Sequence, residues 1–451
     1  MEKMPVEMVE MILAFIVRDN SFLLSSVCRG WHSIIAEYKR RHKLLDHHKT
    51  RIRDIVASPE LVKWALASGL SNTSRICTIA VRQNRLDVLE WARLQHYRWD
   101  SSTTAAAAAN LPLVRSMFER GCPMDHKTPD SAAVGGHVAV IEWANSVNVR
   151  GSQAMIEHIV RRNDHALFVQ CIPFFSHIAS WRADALHAAA TCGHLQLLQR
   201  FHEDGYPMTP RVCSTAALNG HLDIIQWMYN KTEIPTELDL KAAQNGHKNV
   251  ITWLYDQGYR VHPTVGAVAA QNNQLDTLKM VIGMPDVVVS LKDGVNSVEI
   301  IQYLHEQGCH HDKAVESEAA IANSIGVLAW IRATYPDNFN FRLVVELASV
   351  YGNTDVLDWV LSTGQPIENG WLDPAIKTGQ LTVVYWAMRH KCNMRHDTAS
   401  YVIGHNNLHL LKILDAHGYK CTFYDALRAD QLGFITISAW IKDAIYEPIN
   451  I

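Results

Sequence analysis

A short pattern recurs along most of this chain at intervals of roughly 27 residues. Its clearest copy is LNGHLDIIQW, residues 218–227, in which Gly220 serves as the register residue. Equivalent register residues follow one another in steps of 23 to 29 at Gly193, Gly220, Gly246, Asn273, Asn296, Asn323, Gly352, Gly379 and Asn406. Asn84 and Gly136 fall in the same frame upstream, whereas residues 145–181 are irregular. A period of this length predicts stacked repeats, each burying its apolar face against its neighbours.

Each repeat has the residue types of a helix, a tight turn and a second helix. The register residue is Gly or Asn, the residues that best tolerate the left-handed conformation closing a helix. Alanine pairs such as Ala216-Ala217 stand three and four residues earlier, and their small side chains let neighbouring helices approach closely. Asp223 falls in the first turn of the second helix, at the positive end of its dipole. We therefore predict an all-α solenoid of on the order of fourteen helix–turn–helix units.

The residue after the register residue is often histidine, which raises the question of chemistry. It is His137, His194, His221 and His247 in four repeats, and in other repeats it is Gln274, Ser297, Ser324, Asn353, Gln380 and Asn407. A catalytic or metal-binding position would not tolerate this exchange within one chain. We interpret these residues as short polar side chains that hydrogen-bond exposed backbone groups at a helix boundary.

Two further residue patterns could carry chemistry. A tryptophan recurs at one repeat position, at Trp91, Trp143, Trp227, Trp253, Trp330, Trp359 and Trp386. We interpret it as a core or inter-repeat seam rather than a stacking platform for bases. The segment HEQGCHHD, residues 305–312, has zinc-ligand residue types, but it spans a repeat boundary with a turn at Gly308, so we expect no metal there. No phosphate loop, HExxH, nucleophile elbow or kinase motif is found, and we expect neither an enzyme nor a cofactor.

Composition bounds the compartment and the partners. The net charge is -3, so no global field draws the chain to nucleic acid or to acidic membranes. The nine cysteines are scattered without a CxxC pair, which favours a reduced, cytoplasmic compartment. No stretch approaches the roughly 18 apolar residues of a membrane span. The basic run at residues 38–54 is interpreted as a solvated linker helix, and a nuclear-localisation or acidic-partner patch is the alternative.

One repeat carries a family resemblance. DALHAAATCGH, residues 184–194, resembles the ankyrin signature T-P-L-H-x-A-A-x-x-G-H. The period is shorter than the ankyrin period of about 33, the T-P pair is mostly missing, and the connector after Gly258 is too short for a β-hairpin finger. The chain resembles the shortened ankyrin-type repeats of large DNA viruses of amoebae over roughly residues 55–440. This resemblance implies an ankyrin-like solenoid, predicted as a domain at residues 46–451, and for a viral protein the cytoplasm of the host cell.

The first 45 residues do not share the repeat. Pro5 and Glu7 have the positions of a helix start, with the acid at the positive dipole end. Asp19 to Ser21 then separate two segments with apolar residues at helical spacing. These apolar residues are Val9, Ile12, Leu13, Ile16, Leu23, Leu24, Val27 and Trp31.

This segment resembles an F-box, whose pattern runs from Leu-Pro-x-Glu through a Leu-rich helix to Val-Cys-Arg-x-Trp. Met4 replaces the usual leucine, and VCRGW, residues 27–31, follows at the expected distance. The resemblance implies that residues 1–45 bind a Skp-family adaptor of a cullin–RING ubiquitin ligase. The binding residues it implies are Pro5, Ile12, Leu13, Ile16, Leu23, Leu24, Val27, Cys28 and Trp31. The alternative is an amphipathic helical cap on the first repeat, since the ends of solenoids require caps.

The predicted function is therefore a non-enzymatic adaptor. The F-box-like module would hold the ligase, while the repeats recruit a target protein that the sequence does not identify. Two alternatives remain open at this point. One is a repeat scaffold or host-interaction protein with no ubiquitin-ligase link, and the other is a nuclear or nucleic-acid-associated factor that acts through Lys39 to Arg53.

Overall fold

A computed structural model describes residues 55–67, 75–229, 231, 233–368, 370–371, 373–392, 398–416, 418 and 420–446. Within these ranges the chain is helical and contains no strand. The F-box-like module at residues 1–45 and the basic run at residues 38–54 lie outside the described residues. The domain boundary between residues 45 and 46 therefore stays a prediction.

The described helices form pairs along the chain. Helix α1 (Pro59–Ala67) is followed by fourteen pairs, of which the ninth begins with a 3-10 helix, η1. A second short 3-10 helix, η2 (Pro336–Asn338), follows α20. The pairs are α2/α3 (Ile76–Arg82, Leu86–Leu94), α4/α5 (Ser101–Ala106, Leu111–Glu119), α6/α7 (Lys127–Gly135, Val138–Ser146), α8/α9 (Gln153–Arg161, His165–Phe175), α10/α11 (Trp181–Cys192, Leu195–Glu203), α12/α13 (Pro210–Asn219, Leu222–Met228), α14/α15 (Leu238–Gln244, Lys248–Asp256), α16/α17 (Val265–Gln271, Leu275–Val281), η1/α18 (Leu291–Gly294, Val298–Glu306), α19/α20 (Lys313–Ile321, Ile325–Thr334), α21/α22 (Phe341–Tyr351, Thr354–Ser362), α23/α24 (Asp373–Thr378, Leu381–Arg389), α25/α26 (Thr398–Gly404, Leu408–Ala416) and α27/α28 (Phe423–Gln431, Ile435–Tyr446).

The chain divides into two compact parts, an N-terminal half that ends at Val212 and a C-terminal half that begins at Cys213. Within each half, the first helices of consecutive pairs pack on one another, and the second helices form a parallel, looser row. The predicted all-α repeat with a solenoid-like arrangement is confirmed at this level. No helix in the described ranges is long and apolar enough to cross a membrane.

The alanine pairs explain why the first helices pack closely. Ala216 and Ala217 are fully buried, as are the corresponding pairs in the neighbouring repeats. The second helices supply the larger core side chains, such as Ile224 and Ile225, which are also fully buried. The small methyl side chain of alanine allows two first helices to approach closely. The branched side chains of the second helices fill the wider space between those helices.

The turns have the predicted left-handed residue. Gly220 has a φ of +77°, and the backbone N–H of His221 reaches back to the carbonyl of Ala216 at 2.9 Å, which closes the first helix. Asn296 is an exception, because it follows the 3-10 helix η1 and does not have a positive φ. The register residues with a positive φ are Asn84, Gly136, Gly193, Gly220, Gly246, Asn273, Asn323, Gly352, Gly379 and Asn406.

The irregular stretch of the sequence contains one regular pair, α8/α9. Its turn residue is Asn163, which has a φ of +56° and stands at the expected distance from Gly136. The sequence pattern missed this pair because the buried Ile159 and Val160 occupy the place of the two alanines. The repeat pattern is therefore interrupted in its residue types, whereas the helix–turn–helix architecture continues.

The polar residues after the turns link consecutive pairs. His247 Nε2 lies 3.0 Å from the carbonyl of Leu218, at the end of the preceding first helix, and the imidazole N–H donates to it. Gln380 Nε2 likewise donates to the carbonyl of Val350 at 2.9 Å. These bonds satisfy carbonyls that a helix C-terminus leaves without a partner. The predicted backbone-bonding role is confirmed for these side chains.

The recurring tryptophans lie between consecutive pairs. The ring of Trp143 meets that of Phe118 from the preceding pair edge-on, at 5.6 Å between ring centroids. Trp386 is buried, and its Nε1–H donates to Asp358 Oδ1 of the preceding pair at 2.7 Å. The interpretation of this series as an inter-repeat seam is confirmed for these residues.

Candidate binding surface

The predicted adaptor-binding residues cannot be placed in the fold. All of them, from Pro5 to Trp31, lie outside the described residues, so their interface stays a prediction. The candidate surfaces of the structure are therefore those of the repeats.

The histidine-rich segment at residues 305–312 forms an aromatic and polar cluster. The hydroxyl of Tyr335 lies 2.8 Å from His305 Nδ1, and its ring stacks on that of His311 at 4.7 Å. His311 Nε2 lies 3.3 Å from Oε1 of the buried Glu316. Among the described residues, no three His, Cys, Asp or Glu side chains converge in a way that could hold a metal ion.

The eight described cysteines are free thiols, of which four are buried in the core and four are half-buried. Burial raises the pKa of Cys213 to about 12 and that of Cys171 to about 11. These thiols are protonated at neutral pH, and the thiolate is the nucleophilic form. They therefore pack as small apolar residues.

Buried carboxylates on the first helices hold the chain that leads into the next pair. Asp239 is fully buried, and burial raises its pKa, while one of its oxygens accepts the backbone N–H of His262 at 2.6 Å. Burial also raises the pKa of Glu316. Sequence reasoning missed these acids, whose only signal is an acid inside an apolar first helix. The other such contacts are Glu316 with the N–H of Asn340 at 3.1 Å and Asp130 with the N–H of Ser152 at 2.8 Å.

The exposed charged residues of the first helices in the N-terminal half are mainly cations. Of the acids on these helices and at their N-terminal caps, only Asp100 and Glu157 are exposed. Asp130 is buried, and the half-buried Asp184 accepts hydrogen bonds from neighbouring side chains. The exposed cations on these helices and next to their ends are Arg75, Arg82, Lys127, Arg161, Arg162, Arg182 and Arg211. This row of helices is therefore a basic surface.

A cleft of about 230 Å³ opens on this basic surface, between α10 and residues 207–212. The buried Leu186 and Val212 lie at its base, and the exposed Arg182 and Arg211 line it. Helix α10 has 12 residues and is the longest first helix in the described part of the N-terminal half. Its additional N-terminal turn carries Arg182.

A cluster of aromatic rings supports this cleft. Phe168 and Phe201 lie 4.7 Å apart between ring centroids, and Phe175 and Trp181 lie 5.4 Å apart. Tyr206 closes the cluster by meeting Trp181 edge-on at 5.7 Å. Ring pairs at these distances stabilise one another beyond their buried area. The cleft therefore lies against a closely packed aromatic cluster.

The Arg182 guanidinium lies over the rings of Trp181, at 4.5 Å, and Tyr206, at 5.8 Å. This stacking orients the side chain without using its N–H groups. In the described ranges Arg182 donates no hydrogen bond, and the nearby Asp184 accepts from Ser180 Oγ at 2.7 Å instead. The N–H donors of the Arg182 guanidinium therefore face the solvent beside an apolar cleft.

Comparison with known proteins assigns one part of the chain. The F-box domain family matches residues 1–43, which is 43 of the 451 residues. No curated protein matches the chain. The described part of the chain is thus a helical repeat, and residues 1–43 match the F-box domain.

Similar solved structures include the pentatricopeptide repeat protein PPR10 from maize, at 11% identity and a TM-score of 0.29, with 100% of this chain and 79% of that chain covered. Another is PPR10 in complex with an 18-nucleotide psaJ RNA element, at 10% identity and a TM-score of 0.32, with 99% and 74% covered. These TM-scores are too low for the likeness to bear on the fold or the ligand of this chain.

Proposed function

We propose that this protein is a non-enzymatic adaptor for ubiquitin ligation. Its F-box segment binds a Skp-family adaptor of a cullin–RING ubiquitin ligase, and its helical repeats bind a target protein. The observation that carries this proposal is the F-box match at residues 1–43, joined to a long helical repeat. Two binding events on one chain raise the local concentration of the target near the ligase.

The repeats support a binding role more than a chemical one. Their buried thiols are protonated, and the buried Asp239 and Glu316 accept backbone N–H groups inside the stack. The repeats instead offer a long row of exposed side chains on the first helices, and repeat proteins use extended surfaces of this kind to bind partners.

We further propose that the repeats are shortened ankyrin-type units like those of large DNA viruses of amoebae, and that the protein acts in the cytoplasm of a host cell. The turn at Gly193 supports this relationship, because a left-handed glycine is followed by His194, whose Nε2 lies 3.3 Å from the carbonyl of Arg161 in the preceding pair. The DALHAAATCGH segment thus has the turn and the inter-repeat bond that its residue types favour.

The test is a pull-down of a Skp-family adaptor by the full-length protein. We expect binding by the intact protein and its loss in Leu13→Asp and in Trp31→Ala, since both residues belong to the implied adaptor-binding surface. The matched control is Leu94→Asp, which places the same charge at a leucine that is 76% exposed on a repeat. This control should bind as the intact protein does.

Failure of the intact protein to bind would refute the ligase link and leave the repeat scaffold or host-interaction protein. If both F-box variants bind normally while remaining folded, the adaptor does not use the implied surface.

A further inference from the structure

We propose that the cleft between α10 and residues 207–212 binds an acidic segment of the recruited protein, with one apolar side chain inserted in the cleft and a carboxylate on Arg182. The inference rests on the proposed function only in that the bound segment belongs to the target.

The size of the cleft favours a side chain over a cofactor. Its volume of about 230 Å³ is below the ~300–1,000 Å³ of small-molecule sites. Its lining is mostly apolar and includes Leu186 and Val212 at the base and Ala183 and Pro207 at the sides. Such a lining fits an aliphatic or aromatic side chain, which gains by leaving water.

The cations beside the cleft favour acidic residues next to the inserted apolar side chain of the bound segment. Arg182 and Arg211 line it together with His187, and no exposed carboxylate belongs to its lining. A guanidinium binds a carboxylate through two parallel N–H bonds. Stacking on Trp181 already orients Arg182, so less rotamer freedom is lost when a carboxylate binds.

The positive charge of the surrounding surface also favours an acidic ligand. The exposed Arg161, on the neighbouring first helix α8, adds to a basic row that attracts an acidic segment before it docks. The position of the cleft is also consistent with recognition, because it lies where α10 is longer than the first helices around it.

The geometry favours a peptide over a single-stranded nucleic acid. Proteins that bind single-stranded nucleic acid commonly stack successive bases on exposed aromatic rings. The rings nearest the cleft, Trp181 and Tyr206, are 6% and 8% exposed and lie under Arg182. The available surface beside the cations is aliphatic, which suits an apolar side chain.

The first experiment is an unbiased selection of random peptides on the full-length protein, followed by fluorescence anisotropy with the most enriched peptide. We expect enriched peptides with one apolar residue flanked by Asp or Glu. Arg182→Glu and Ala183→Trp should each weaken binding by about tenfold or more, the first by reversing a charge and the second by filling the cleft. Ala183 is exposed, so the larger side chain does not enter the core.

The matched control is Arg161→Glu, which makes the same charge change on the same surface outside the cleft. We expect it to weaken binding by less than about threefold, through long-range attraction alone. Arg182→Gln serves as a milder second variant, and circular dichroism with the thermal midpoint establishes that each variant is folded.

Three results would overturn the inference: no enriched peptide, enriched peptides without acids, or equal affinities for the intact protein and for Arg182→Glu. A uridine-rich single-stranded RNA that binds the intact protein and loses binding in Arg182→Glu would assign the cleft to nucleic acid instead. The Skp-family pull-down with Arg182→Glu separates this inference from the proposed function, because the F-box segment should bind the adaptor whether or not the cleft binds peptide.

Discussion

The turn glycine of one repeat and the histidine of the next form a coupled pair that can be tested directly. Gly220 has a φ of +77°, and a Cβ at this position would overlap the ring of His247. That ring donates to the carbonyl of Leu218 at 3.0 Å. A methyl group at Gly220 therefore affects both the turn itself and the bond between the two pairs.

The expected cost of Gly220→Ala has two parts. A left-handed conformation costs a non-glycine residue ~1–2 kcal/mol, and displacing His247 removes a hydrogen bond worth ~0.5–1.5 kcal/mol. We expect the free energy of unfolding to fall by about 2–3 kcal/mol in total. In a His247→Ala background only the backbone part remains, so the two changes should be coupled by about 1 kcal/mol.

Gly258→Ala is the matched control. Gly258 has a φ of +79° in the same half of the chain, but a Cβ there would meet nothing within 4 Å. Its cost should be the backbone part alone, ~1–2 kcal/mol. Urea unfolding followed by circular dichroism measures the free energies, and native-state hydrogen exchange of residues 213–260 gives the local value, because long repeat arrays depart from two-state behaviour. Equal costs for the two glycines, or no coupling with His247→Ala, would refute this reasoning.

Three further predictions concern packing, the seam and pH. Ala242→Leu should overfill the contact between first helices and lower the free energy of unfolding by ~1–3 kcal/mol in urea unfolding; an unchanged midpoint would show that the helices are not closely packed there. Trp386→Phe removes the Nε1–H bond to Asp358 and should cost ~0.5–1.5 kcal/mol, and a double-mutant cycle with Asp358→Ala should show that the two losses are not additive. Burial raises the pKa of Asp239, so the stability it contributes is present at acidic pH and is lost as pH rises through its folded-state pKa. Asp239→Asn keeps an acceptor for the N–H of His262 and should remove this decrease in the free energy of unfolding with rising pH. If the free energy of unfolding has the same slope against pH in both proteins, the pH dependence does not come from Asp239.

Binding of an acidic peptide at the cleft should depend on ionic strength. Arg182 and Arg211 are exposed, so their attraction for carboxylates is screened as ionic strength rises. The part of the affinity that comes from the apolar side chain is much less sensitive to salt. Binding of an acidic peptide should therefore weaken, but not disappear, at high salt.

Much of the repeat could be predicted from the sequence because its determinants are local. The residue that closes each first helix must adopt a positive φ, which selects Gly or Asn, as at Gly220 and Asn273. The alanines three and four residues earlier and the apolar arc of the second helix belong to the same short segment. The recurrence of Trp at one position predicts a core or inter-repeat seam residue, and the contact of Trp143 with Phe118 is an example of the seam.

The F-box assignment has a different basis. It depends on a family pattern, which the family match at residues 1–43 supports, and on no geometry of the described residues. Sequence could name the class of this segment because the spacing between the Pro-x-Glu start and VCRGW is itself diagnostic.

The tertiary structure decided what depends on residues one repeat apart. Stacking determines that Asp239 reaches the N–H of His262, that Asn163 closes a regular turn without alanines before it, and that Arg182 stacks on Trp181 beside a cleft. No short sequence window contains both partners of the buried carboxylate contacts. Backbone conformation is set mainly by near neighbours, whereas a side chain's partners are set by the close packing of helices that are distant in sequence.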